Sequence, residues 1–148
     1  MIWKWKIPLR ITICIWLALD NRLLTWDNLM QRGQYGLGMC TLCGTSYESI
    51  HHIFVTCDFI SVACKIIAEM INVDFPWIGD SLSSCFHTLG KIQPHLRTFP
   101  CFVIWEIWGY RNRLIFEGEQ QRPIDVDVRC LQAFIEAGGS THKICSLY

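Results

Sequence analysis

This sequence predicts a mostly α-helical fold: short helices around a cysteine-rich turn, then a long aromatic-rich helix and a C-terminal helix. Three observations predict it. Apolar residues recur at helical spacing after Asp58. Prolines punctuate two long helical segments, Pro100 starting or kinking one and Pro123 opening the other. Paired cysteines occupy a glycine-bounded turn between short segments. The 148 residues, 51% of them hydrophobic, are enough for one real core. Only 18% are charged, which excludes a disordered chain. Thirteen basic and thirteen acidic side chains cancel, so the chain is neither a basic nucleic-acid coat nor an acidic tail protein.

The elements follow in order. Pro8 opens an apolar segment running to about Asp20, whose Ile11-Thr12-Ile13-Cys14-Ile15 centre fits a strand as well as a buried helix. Thr25 is placed to cap a short helix from Trp26 to Gln31 or Arg32, with Asp27 at its positive end and Gly33 stopping it. Gly36 and Gly38 make a flexible approach to Cys40. From Asp58 to about Ile71, the residues Phe59, Val62, Ile66, Ile67 and Met70 mark a helix face. Asp80 caps a shorter helix through Leu89.

The stretch from His95 to Glu117 is long, aromatic and interrupted once, by Pro100, which starts or kinks a helix there. Ile104, Trp108, Arg111 and Ile115 share one face of it. Pro123 is the first residue of a last helix carrying Val128, Leu131 and Ile135 and ended by Gly138-Gly139. Asp125 and Asp127 are the nearest thing to a carboxylate pair. Two residues apart, they do not face one another, and they suit the positive start of that helix.

Nine cysteines, an odd number, argue against a pure disulfide framework. Lys4, Lys6 and Arg10 before the run Ile11 to Leu19 imitate a secretory leader. Trp3 and Trp5 spoil the basic region, and no small-residue cleavage site follows. The run is too short to span a bilayer. The expectation is an intracellular chain, nuclear or cytoplasmic, with reduced cysteines and no membrane partner.

Cysteine clusters in that setting point to metal. Cys40-Thr-Leu-Cys43-Gly44 forms a tight knuckle whose backbone amides face the sulfurs, and His51-His52 and then Cys57 follow it. A helical turn ending near Cys57 brings one imidazole to the same point. Three thiolates and an imidazole satisfy tetrahedral zinc and leave no open position, so the site is structural and not catalytic. His51 and His52 point about 100° apart on a helix, so one of them binds. Of the other cysteines, Cys14, Cys64, Cys85, Cys101 and Cys130 read as buried small hydrophobes, and Cys145 as the most exposed thiol.

Trp3-Lys4-Trp5-Lys6-Ile7-Pro8, Ile15-Trp16-Leu17-Ala18-Leu19 and Asn21-Arg22-Leu23-Leu24-Thr25 resemble the opening of the zinc-binding domain of plant non-LTR retrotransposon reverse transcriptases. Cys40-Thr-Leu-Cys43-Gly44, Glu48-Ser49-Ile50-His51-His52 and Cys57 resemble its metal motif, with His52 at the histidine position. Ile104-Trp105-Glu106-Ile107-Trp108 and Arg111-Asn112-Arg113 resemble the signature that follows it. The resemblance implies zinc held by Cys40, Cys43, His52 and Cys57. It also implies a zinc-binding domain over residues 1–75 with a helical extension over 76–148, and a structural, non-enzymatic module cut from a longer polyprotein. A reverse transcriptase polymerase domain is the implied partner, and no small-molecule substrate is expected. No Tyr-x-Asp-Asp polymerase signature occurs in the chain.

The alternative function is an accessory surface for single-stranded nucleic acid. The finger is unsuited to it. No Lys or Arg lies between Arg32 and Lys65, and Glu48, Asp58 and a zinc–trithiolate centre total about −3. Lys4, Lys6, Arg111 and Arg113 are the candidate contacts, with Trp3 and Trp5 stacking on bases unless they bury in the core. Few large apolar side chains join the knuckle to Asp58. Residues 33–60 are therefore expected to depend on the metal for their order.

Overall fold

The computed structural model describes residues 2–120 and 122–138. Six α-helices carry the fold among these residues. They are α1 (Leu9–Leu19), α2 (Trp26–Gln31), α3 (Asp58–Ile71), α4 (Leu82–Ile92), α5 (Phe99–Glu117) and α6 (Pro123–Glu136). One-turn 3-10 segments at Ile2–Lys4 and Pro94–Leu96 and a π-helical turn at His52–Thr56 complete the helical content. Extended pairing among the described residues is a single antiparallel bridge between Met39 and Tyr47. The fold is mostly helical, as the periodicity predicts.

The ambiguous segment after Pro8 is a helix. Ile11, Cys14, Ile15 and Ala18 are buried, a period of three to four, whereas Ile13 is exposed. A strand would have put Ile11, Ile13 and Ile15 on one face. The packing partner decides the matter: α1 lies along α5, and a helix presents its stripe to another helix.

Helix α5 is the axis of the core. Pro100 sits in its first turn, where a missing N–H costs nothing, so the proline starts the helix and does not kink it. Phe99, Cys101, Phe102, Ile104 and Ile107 are all buried, because α1 covers one side and α6 another. Phe134 of α6 meets Phe99 and Phe102 edge-on at 5.1 and 5.7 Å, a favoured aromatic geometry.

Two helices have the predicted bounds but a rotated buried face. On α3 the core side is Ile60, Ala63, Cys64, Ile67 and Ile71. Phe59, Ile66 and Met70 lie at the rim, and Val62 is exposed. On α6 it is Val126, Cys130 and Phe134, whereas Val128 and Ile135 are exposed. These two helices pack on each other, and small residues such as Ala63, Cys64 and Cys130 let them approach closely. Counting large side chains selects the wrong stripe.

Other local expectations shift by a residue or change their meaning. Ser81, not Asp80, caps α4: its hydroxyl accepts from the Ser84 amide at 3.2 Å, and the Ser84 hydroxyl accepts from the Ser81 amide at 3.0 Å. Gly36 is a packing requirement and not a flexible link, since a Cβ there would lie 2.4 Å from the Trp26 ring. Trp3 is 56% exposed, and Trp5 is half-buried against Phe86 at 6.3 Å. Asp125 does sit at the start of α6, accepting from the Arg122 amide at 3.1 Å. Asp127 does not stay with it in solvent. Its side chain is fully buried, and neither oxygen has a hydrogen-bond partner among the described residues.

The hydrophobic core is continuous from Ile2 to Phe134 and crosses residue 75. The Trp77 indole N–H donates to the Phe54 carbonyl at 2.7 Å, tying the segment after α3 back to the π-turn. Cys14, Cys64, Cys85, Cys101 and Cys130 are buried thiols, as predicted. Burial pushes Cys14, Cys64 and Cys101 up to about 12. Cys145 and Gly139 lie outside the described residues.

Candidate metal centre

Four side chains converge between α2 and α3. Cys40 and Cys43 come from the knuckle, and His52 and Cys57 come from the two ends of the π-turn. The knuckle closes through the Gly44 amide, which donates to the Cys40 carbonyl at 2.8 Å. Gly44 takes a positive φ of 68° that a side chain would resist. The strand-like bridge locks its base, with the Cys40 amide donating to the Ser46 carbonyl at 2.8 Å.

The second pair is delivered differently. Ser49 starts the turn: its hydroxyl accepts from the His52 amide at 3.0 Å, and its carbonyl accepts from the Ile53 amide at 2.9 Å. The wider π-turn then ends with the Cys57 amide on the His52 carbonyl at 2.7 Å. That i→i+5 closure puts the side chains of residues 52 and 57 on the same side. Ile53 and Phe54, wholly buried within the turn, anchor it to the core.

The donor atoms of Cys40, Cys43, His52 and Cys57 all lie within 4.8 Å of one another. Cys40 Sγ and Cys57 Sγ are 4.0 Å apart, and Cys43 Sγ is 3.2 Å from His52 Nε2. A tetrahedral zinc with arms of about 2.3 Å to sulfur sets sulfurs about 3.8 Å apart, so the donor set fits that ion. A disulfide needs about 2.05 Å, and these cysteines are free. Among the described residues this is the one group of three or more such donors gathered closely enough for a metal.

The surroundings favour anionic sulfur and an oriented ring. Cys40 is held below the ordinary thiol range, chiefly by the Cys57 thiol beside it, with the Cys43 and Leu42 amides adding to the effect against burial. The same contact, with burial, holds Cys57 well above that range. Burial would raise Cys43, but the hydroxyl and amide of Thr45 and the His52 ring lower it; the Thr45 hydroxyl donates to its sulfur at 3.2 Å. His52 Nδ1 lies 3.2 Å from Thr56 Oγ1, which leaves Nε2 turned towards the sulfurs. His51 is exposed and outside the group. Nothing in the cysteine and histidine pattern marks Thr56; its i, i+4 spacing from His52 is the one sequence signal of this contact.

Glu48 is the other residue whose role changes. It is buried, not part of an anionic finger surface. Its Oε1 accepts from the Trp26 amide at 3.0 Å, capping α2 where Thr25, at the N-cap position, makes no side-chain cap bond. Both carboxylate oxygens also accept from Arg111 of α5, Oε2 from Nε at 3.1 Å. Arg111 is therefore no surface cation: it is 4% exposed, paired to Glu48 and stacked over Trp108 at 4.9 Å. Arg113 is half-buried, with Nε 3.4 Å from Glu119. Lys4 and Lys6 are exposed in the N-terminal segment.

No helix among the described residues is long and apolar enough to cross a membrane. No curated protein and no solved structure matches the chain. Residues 1–63 match the family model described as zinc-binding in reverse transcriptase, a span that holds all four donors and Glu48 but neither Arg111 nor α4 to α6. Over residues 1–63 the chain is therefore similar to the reverse transcriptase zinc-binding family.

Proposed function

We propose that the chain is a structural zinc-binding module of a non-LTR retrotransposon reverse transcriptase of the plant type, with no catalytic activity of its own. The observation that carries this reading is the closed donor set of Cys40, Cys43, His52 and Cys57. Three sulfurs and one ring nitrogen fill a tetrahedron and leave no place for an activated water. A zinc ion there supplies a cross-link between the knuckle and the π-turn. The chain's own residues do the rest. Leu42, Cys43 and Thr45 amides stabilise thiolate charge, Thr56 turns the imidazole, and Glu48 ties the loop to α5 through Arg111.

In this reading residues 1–75 are the zinc-binding unit and residues 76–148 a helical C-terminal extension. The partner in this reading is a polymerase domain, in the same polyprotein or on another chain, inside the cell. The alternative, an accessory nucleic-acid surface, loses Arg111 to the core and Arg113 to its pair with Glu119, and retains Lys4 and Lys6. Elemental analysis of purified protein, folded with zinc present, tests the main reading. One zinc per chain is expected, and its absence overturns the proposal. Nucleotide incorporation or RNA cleavage lost on replacing a specific acidic residue would overturn the non-catalytic part.

A further inference from the structure

Tyr35-Gly36-Leu37-Gly38-Met39 alternates large apolar residues with glycines, the period of an extended segment with two unlike faces. The glycines are turned towards the protein. A Cβ on Gly36 would stand 2.4 Å from the Trp26 ring, and one on Gly38 would stand 3.3 Å from the Tyr47 ring and 3.8 Å from the Met30 sulfur. The large side chains are turned outward: Tyr35 is 96% exposed, Leu37 is 90% exposed, and Met39 is exposed with them. Tyr47, which bridges to Met39, and Met30 are exposed as well. A half-buried strand ordinarily hides its large residues. This one shows them to solvent, because the Trp26 ring leaves no room for a side chain at Gly36.

The backbone of the segment has an open edge. The Cys40 amide donates to the Ser46 carbonyl and the Glu48 amide to the Gly38 carbonyl, each at 2.8 Å, so residues 38 and 40 face the returning chain. The N–H and C=O of Met39 therefore point the other way. Neither takes part in a hydrogen bond among the described residues. Lysines and prolines are the usual guards of such an edge, and none lies between Arg32 and Glu48; that whole stretch holds no charged residue.

We propose that a second copy of this chain covers this face, in a two-fold contact centred on Met39. Antiparallel pairing of one edge with its own copy is self-complementary: the Met39 N–H of each copy donates to the Met39 carbonyl of the other. It sets the Tyr35, Leu37 and Met39 side chains of the two copies beside one another, with Tyr47 and Met30 at the margin. A patch without charge meets its own image without repulsion, and thirteen basic against thirteen acidic side chains leave no net charge to hold copies apart. Tyrosine and methionine with few charges are also the composition of an interface core. Nucleic acid would need cations that this stretch lacks. An aromatic side chain offers about 150–250 Å², so the five residues together supply on the order of 600 Å² per copy, a little under the about 800 Å² of a standard interface. The dimer is accordingly weak and reversible, with a dissociation constant of about 1–100 μM.

Sedimentation velocity of the full chain across that concentration range tests it. A monomer–dimer equilibrium is expected that does not weaken when salt is raised, since no ion pair forms in the contact. Tyr35→Ser with Leu37→Ser should raise the dissociation constant at least about 30-fold, the effect of removing a hot spot, whereas Tyr35→Phe with Leu37→Met should retain the dimer. Leu9→Gln with Ile13→Gln, on the exposed side of α1, should leave it unchanged. Hydrogen exchange at the Met39 amide should slow as the dimer fills. Zinc content and far-ultraviolet circular dichroism of each sample report whether it is folded. A zinc-loaded, folded monomer at every concentration overturns the proposal and leaves the metal reading intact. Association that survives Tyr35→Ser with Leu37→Ser, is lost with the α1 pair, grows beyond two copies, or leaves exchange at Met39 unchanged overturns it too.

Discussion

Arg111 and Glu48, 63 residues apart in the chain, form a buried two-point ion pair that fastens the loop carrying the metal-type donors to the central helix. Glu48 is a junction. Its carboxylate also caps α2 through the Trp26 amide, its amide donates to the Gly38 carbonyl at 2.8 Å, and its carbonyl accepts from Asp27. Desolvating two charges is costly, and this pair offsets the cost with a full set of hydrogen bonds.

Removing one partner should therefore cost far more than removing both. Arg111→Ala is expected to destabilise the protein by about 3–5 kcal/mol, because it leaves Glu48 buried and unpaired. Arg111→Met combined with Glu48→Gln should recover much of that loss, since glutamine can still accept from Trp26. Urea unfolding of the wild type, Arg111→Ala and the double variant checks the expectation. A loss below about 0.5 kcal/mol for Arg111→Ala, the size of an ordinary surface change, would sink it.

Metal retention should separate the two adjacent histidines. His52→Ala should lose or strongly weaken zinc in competition with a chromophoric chelator, and His51→Ala should behave as wild type. Thr56→Val, which leaves the ring without its Nδ1 partner, should weaken zinc by about 10–100-fold. Loss of metal in His51→Ala instead would move the ligand by one residue.

Chelation should loosen less of the chain than the sequence suggests. Ile50, Ile53, Phe54 and Ile60 are buried, so the π-turn and the start of α3 are held by packing as well as by any metal. Hydrogen exchange with and without chelator should show protection lost over about residues 36–48 and retained from Ile50 onward and through Ile104 to Ile115. Loss extending evenly through α3 and α5 would show instead that the metal holds the whole domain together.

Asp127 should make stability fall between mildly acidic and neutral pH. Burial against α3 raises its carboxyl to about 7, with Cys64 and Cys130 feeling its charge. In the unfolded chain it titrates near 3.9. The folded state thus holds a proton that the unfolded state has lost, and stability declines as pH rises from about 4 to about 7. The decline is on the order of 4 kcal/mol before structural relaxation. Asp127→Asn should remove this component, so the gap in melting temperature between variant and wild type should widen towards pH 8. A gap that does not change with pH would rule the account out.

Sequence alone determined the helical class, the bounds of α3, the proline that starts α6, and the cysteine positions that converge with one of two adjacent histidines. These are local matters: turn chemistry, helix periodicity and the spacing of soft donors act over a few residues. What only the tertiary structure decided was which stripe of each helix is buried and which charges are on the surface. Val62, Val128 and Ile135 are as apolar as their buried neighbours. They face outward because the α3–α6 contact selects the stripes with small residues that allow close approach. Arg111 reads as a surface cation until Glu48 arrives from 63 residues away, and Asp127 reads as a solvated helix start until α3 closes over it. Burial is a property of the neighbours that other parts of the chain supply, and no local pattern in the sequence encodes them.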